Sequence, residues 1–152
     1  ISIIMKLRIK REIEEANQLT VFWIENSIAY NVLLNDASAL EGLSTLYNFM
    51  AIHFKENDNI NEAINSSSEG VKFIEICCKK GFNEKYFEKL AAYNYFLSEL
   101  YSFNNDIPHA ISSIKESIQI LDTIIDNTSM VHPRIEGHKE AALQLLSSLQ
   151  RY

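Results

Sequence analysis

The chain has 152 residues, 47% apolar and 22% charged, with four glycines, two prolines and a net charge of −6. That length supports one domain with a substantial core, and the scarcity of Gly and Pro argues against an all-β fold with many tight turns. The acidic balance argues against direct contact with nucleic acid, whose binders carry a basic stripe, and no apolar run approaches the roughly 20 residues that cross a bilayer.

Residues 1–10 read as the end of a truncated first helix. Lys6, Arg8, Lys10 and Arg11 are followed at once by Glu12, Glu14 and Glu15, the pattern of a solvated helix face. The opening ISIIMKLRIK has too short an apolar part for a signal peptide, and its charges lie on the wrong side. The chain starts upstream of Met5, which predicts a piece of a longer protein or a residual tag. A second helix is expected over 12–34, carrying Ile13, Ala16, Leu19, Phe22, Trp23, Ile28 and Val32. Asn35 to Ser38 form a joint with capping residues.

Helices follow at about 38–56, 60–80, 83–103 and 107–127. In the first of these, Tyr47, Met50, Ala51 and Phe54 share one face at i, i+3, i+4, i+7. In the second, Ile60, Ala63, Ile64, Ser67 and Val71 do the same, and Gly81 caps its end after Lys79 and Lys80. The adjacent Cys77 and Cys78 point apart and cannot readily bridge. They predict packing thiols in a reducing, cytoplasmic compartment. Pro108 stands in the first turn of the fourth helix, where a missing N–H costs nothing. After the linker NTSMVHPR, a last helix at about 134–150 carries Ala141, Leu143, Leu145, Leu146 and Leu149. A solitary terminal helix covers the open end of a stack.

A shift of 47 residues superposes the middle of the chain on itself. Phe49 falls on Phe96, Phe54 on Tyr101, Asn57 on Asn104, Ile60 on Ile107, Ala63 on Ala110 and Glu69 on Glu116. Ile13 and Ala16 fall under Ile60 and Ala63 when the shift is reversed. A recurrence at this period marks stacked repeats: a partial repeat 1–34, repeats 38–80 and 83–127, and a capping helix 134–150, all in one domain. The Asn- and Asp-rich joints KENDN and FNNDI tolerate left-handed backbone and cap the next helix. Small residues at Ala51/Ser98 and Ala63/Ala110 let paired helices approach closely, and larger ones would overpack them.

These placements resemble the tetratricopeptide repeat: Met50-Ala51, Phe54 and Ala63, then Leu97-Ser98, Tyr101 and Ala110, with Gly70 and Ser117 at a later small position. The resemblance covers about residues 44–122. It departs in Tyr47 and Asn94 at the early Trp-like position, in Asp58 and Asn105 at the turn glycine, and in its long period. It implies an all-α solenoid of about seven antiparallel helices with a C-terminal capping helix. It further implies a protein or peptide partner held in a concave groove.

Catalytic and metal signatures are missing from the sequence. His53, His109, His132 and His138 make no H-x-x-x-H pattern. Four scattered glycines cannot build a phosphate loop, and there is no G-x-S-x-G. The expectation is therefore a binding module, with no enzyme activity, cofactor or metal. The alternatives are a sensory domain of a larger bacterial signalling or transcriptional regulator, or a scaffold that mainly forms a homodimer. If Met50 and Leu97 point into the helix pairs, the groove candidates are Asn48, Ile52, Lys55, Tyr95, Glu99 and Phe103. Glu56 and Glu99 predict rejection of an acidic C-terminal tail and preference for an apolar or mildly basic segment.

Overall fold

The computed structural model describes residues 10–15, 18 and 36–152. The described residues before 36 are helical, and Ile13 packs against the core. The expected turn of helix over 1–9, most of the helix over 12–34 and the start of the joint at Asn35 lie outside the described residues. Five helices follow: α1 (Ala37–Glu56), α2 (Ile60–Lys79), α3 (Glu84–Phe103), α4 (Ile107–Asn127) and α5 (Pro133–Leu149). No strand occurs among the described residues. Each helix begins and ends within one residue of the bounds the periodicity predicts.

Local chemistry accounts for that agreement. The Asp36 carboxylate accepts the N–H groups of Ser38 and Ala39 at 3.0 and 3.2 Å. Asn83 accepts from Tyr86 at 3.4 Å and Asp106 from His109 at 3.3 Å. Each thereby satisfies a donor that a helix start leaves open. The α1–α2 and α3–α4 joints share their backbone geometry, but Asn59 at the start of α2 makes no side-chain capping bond of the kind expected and seen for Asp106. Asp58 and Asn105 hold left-handed backbone, with φ of 58° and 57°. The next residue's N–H reaches back to the preceding helix, Asn59 to Phe54 O at 2.8 Å and Asp106 to Tyr101 O at 2.9 Å. Asn and Asp are the non-glycine residues that accept this conformation most readily, so the missing turn glycine costs the joint little. Lys80, not Gly81, is the C-cap of α2, and Gly81 follows it at φ 137°.

Each helix packs antiparallel on its successor, and α1 touches α3, and α3 touches α5, only lightly. α1, α3 and α5 therefore form one layer and α2 and α4 a second, with the core between them. Leu40, Phe73, Ile74, Ile114, Ile124 and Ile135 are almost fully buried. Each contributes about 1.5–3 kcal/mol by leaving water. The Tyr47 ring stacks on Phe73 with centroids 5.7 Å apart. Met50 and Leu97 are buried, as the groove argument requires.

The small residues sit where backbones approach. Ala51, Ala63, Ser98 and Ala110 are all fully buried, and Ser98 Oγ donates to the Ala110 carbonyl at 2.6 Å. A Cβ on Gly70 would stand 3.1 Å from the Ser44 carbonyl oxygen. At the positions 47 residues on, Ser117 Oγ donates to the Ala91 carbonyl at 2.8 Å. The hydroxyl of Ser67, which stands where the other pair has Ile114, is buried without a hydrogen-bond partner among the described residues.

Cys77 is buried, with its Sγ 3.5 Å from the Ala37 carbonyl oxygen, and it forms no disulfide with Cys78. Burial, then Cys77 and Glu75, push the Cys78 thiol up to about 12. No described helix is long and apolar enough to cross a membrane.

Candidate functional site

The α1–α3–α5 layer carries the polar and aromatic side chains that the core excludes. At its N-terminal end, Glu41 Oε1 receives the ammonium groups of both Lys85 and Lys89 at 3.1 Å. Lys89 also donates to Thr45 Oγ1 at 2.7 Å. Burial alone would raise the Glu41 carboxyl, but the hydrogen bonds and charges of the two lysines outweigh it and hold the group low. At the C-terminal end, Lys55 Nζ lies 5.6 Å from the Phe96 ring centroid and 4.9 Å from that of Phe103. Two clasps, one ionic and one cation–π, thus hold α1 and α3 side by side, running in the same direction.

α3 and α5 are joined differently. Arg134 forks onto Glu88, Nε to Oε1 at 2.7 Å and Nη2 to Oε2 at 3.0 Å. These hydrogen bonds hold the Glu88 carboxyl below its ordinary range against the opposing effect of burial. His138 Nε2 lies 3.9 Å from Glu88 Oε1. Below this fork the two helices stand apart over a cavity of about 350 Å³. Ala91, Ala92 and Ala141 line it together with Leu121 of α4 and the Tyr95 ring. Its width follows from the small side chains: three alanines face a space that leucines would fill. Burial, then Glu99, raise the Tyr95 hydroxyl. A more open cavity of about 610 Å³ shares Glu88, Ala92 and His138 with the first and extends over Lys85 and Lys89.

The sequence-predicted residues divide among these features. Tyr95 lines the cleft. Lys55 and Phe103 meet in the clasp, with Phe103 62% exposed. Ile52 is exposed at the edge of α1, while Glu99 is half-buried. Asn48 is half-buried, and its backbone lies against the α1–α2 close approach at Gly70. Sequence reasoning missed Ala92, Glu88, Arg134, His138 and Ala141, because it treated the last helix purely as a cap. The unbroken small pair Ala91-Ala92 on α3 and Ala141-Ala142 on α5 was the available signal.

Among the described residues, no group of three or more His, Cys, Asp or Glu side chains could hold a metal ion. Compared with family models, characterised proteins and solved structures, the chain matches none.

Proposed function

We propose that the chain is a long-period tetratricopeptide-like solenoid that binds an extended segment of a partner protein, without catalysis, in the cleft between α3 and α5. The observation that carries this reading is the cleft itself. Its apolar floor, its few polar groups at the rim and its volume of about 350 Å³ fall in the range of ligand-binding cavities, roughly 300–1,000 Å³. The solenoid reading is supported by the two joints, which make equivalent backbone bonds at an offset of 47 residues. One large apolar side chain of the partner fills the cavity. The exposed Ile52 and Phe103 extend the contact toward the other end of the layer.

The test is a selection of random peptides displayed against the chain, followed by calorimetry on wild type, Ala92→Phe and Tyr95→Ala. Ala92 is exposed on α3, so a phenylalanine there fills the cleft without entering the core. Both substitutions weaken binding of the selected peptides. Full-strength binding to Ala92→Phe would refute the cleft as the site.

A further inference from the structure

Which chemistry accompanies the apolar anchor is written in how the charges of the outer cleft are presented. Five of its charged side chains are Lys85, Lys89 and Arg134 against Glu84 and Glu88, with His138 beside them. Glu41 lies behind the lysines on α1. The formal balance is nearly even, but the exposure is not. The Glu41 and Glu88 side chains are 17% and 25% exposed, and their oxygens are turned toward cations of the protein itself. The Lys85, Arg134 and His138 side chains are 70%, 46% and 58% exposed. The Glu41 and Glu88 carboxylates are therefore spent inward, while the nitrogen donors of Lys85, Arg134 and His138 stay exposed at the cleft. The N-terminus of α3 adds its own partial positive charge at this end, offset in part by Glu84 in the first turn.

The other end has the opposite character. Glu99 lies eleven residues beyond Glu88 on α3, about 16 Å along the helix axis, and Glu56 ends α1 there. The repulsion of an acidic tail expected from Glu56 and Glu99 acts at that end, where Lys55 also lies over the Phe103 ring.

Building on the cleft reading above, we infer that the partner segment carries an acidic residue immediately beside its large apolar anchor. The anchor enters between Ala92 and Ala141. The carboxylate beside it meets Lys85, Arg134 and His138, whose free N–H groups donate to it without breaking the Glu88–Arg134 fork. A basic residue at that place would face three exposed donors and find Glu41 and Glu88 already engaged, with Glu84 alone left to receive it.

Short dye-labelled Gly-Ser peptides with Asp-Asp-Trp, Lys-Lys-Trp or Asp-Asp-Ala at the centre test this by fluorescence anisotropy. Asp-Asp-Trp binds tightest, Asp-Asp-Ala does not bind, and Ala92→Phe abolishes binding. Lys85→Glu weakens Asp-Asp-Trp by about three- to tenfold relative to Lys-Lys-Trp, the scale of a reversed exposed charge. The preference shrinks as salt shortens the screening length from about 10 Å at 0.1 M to about 3 Å at 1 M. Trp-dependent binding that Ala92→Phe abolishes, but with Lys-Lys-Trp equal to or tighter than Asp-Asp-Trp, overturns this inference and leaves the cleft standing. Absence of Trp-dependent binding, or indifference to Ala92→Phe, overturns both.

Discussion

Ala110→Leu tests the packing of the helix pairs most directly. Ala110 has no exposed surface, and its carbonyl accepts the Ser98 hydroxyl at 2.6 Å across the α3–α4 interface. Leucine adds three carbons where two backbones already approach within hydrogen-bonding distance of a side chain. Their burial would contribute about 0.8 kcal/mol per carbon if space existed, but the contact leaves none. Forcing them in costs about 1–3 kcal/mol through displaced backbone and strained rotamers. Separating the helices also strands the buried Ser98 hydroxyl, which adds about 1 kcal/mol. The expected loss is about 2–4 kcal/mol, read from urea unfolding at unchanged slope. Lys115→Ala, on the exposed face of the same helix, stays within about 0.5 kcal/mol. The double variant Ser98→Ala/Ala110→Leu costs less than the sum of the two single changes by at least about 0.5 kcal/mol, because each single change loses the Ser98–Ala110 hydrogen bond and the double variant can lose it only once. A loss under 0.5 kcal/mol for Ala110→Leu, or strict additivity in the cycle, would refute the argument.

Two further outcomes follow from the titrating groups. Because the Cys78 thiol is pushed up to about 12, only about one molecule in ten thousand carries its thiolate at pH 8. Native Cys78 therefore resists iodoacetamide, and both cysteines react together once the chain is unfolded in guanidinium. Rapid native labelling at Cys78 would contradict its placement. Glu88 titrates below its ordinary value because Arg134 hydrogen-bonds it. Its stabilisation is complete above the unfolded glutamate value of about 4.3 and is lost as pH falls through the lower, folded value. Arg134→Gln flattens that acid limb of stability while leaving the fold's circular dichroism unchanged. An identical acid limb in both proteins would show that the fork contributes nothing.

The helices were legible in the sequence because their causes are local. Asp36, Asn83 and Asp106 cap the next turn through side chains two or three residues away. Asp58 and Asn105 accept left-handed backbone by their own chemistry, and the 3.6-residue spacing of Tyr47, Met50 and Ala51 already marked the buried face. The small positions were legible for the same reason, since the 47-residue offset brings Ala63 onto Ala110 and Gly70 onto Ser117. The cleft was not. Its walls come from Ala92 and Ala141, and its rim from Glu88 and Arg134, 46 residues apart. None of these residue types is distinctive alone. An alanine on a helix face reads as a surface position until a second helix stands opposite at a distance. A glutamate reads as a free charge until an arginine from another element takes both its oxygens. Capping, periodicity and joints were determined by the sequence itself, because they depend on neighbours along the chain. The separation of α3 from α5, and the inward turn of the carboxylates that leaves Lys85, Arg134 and His138 facing outward, were decided only by the packing of helices far apart in the chain.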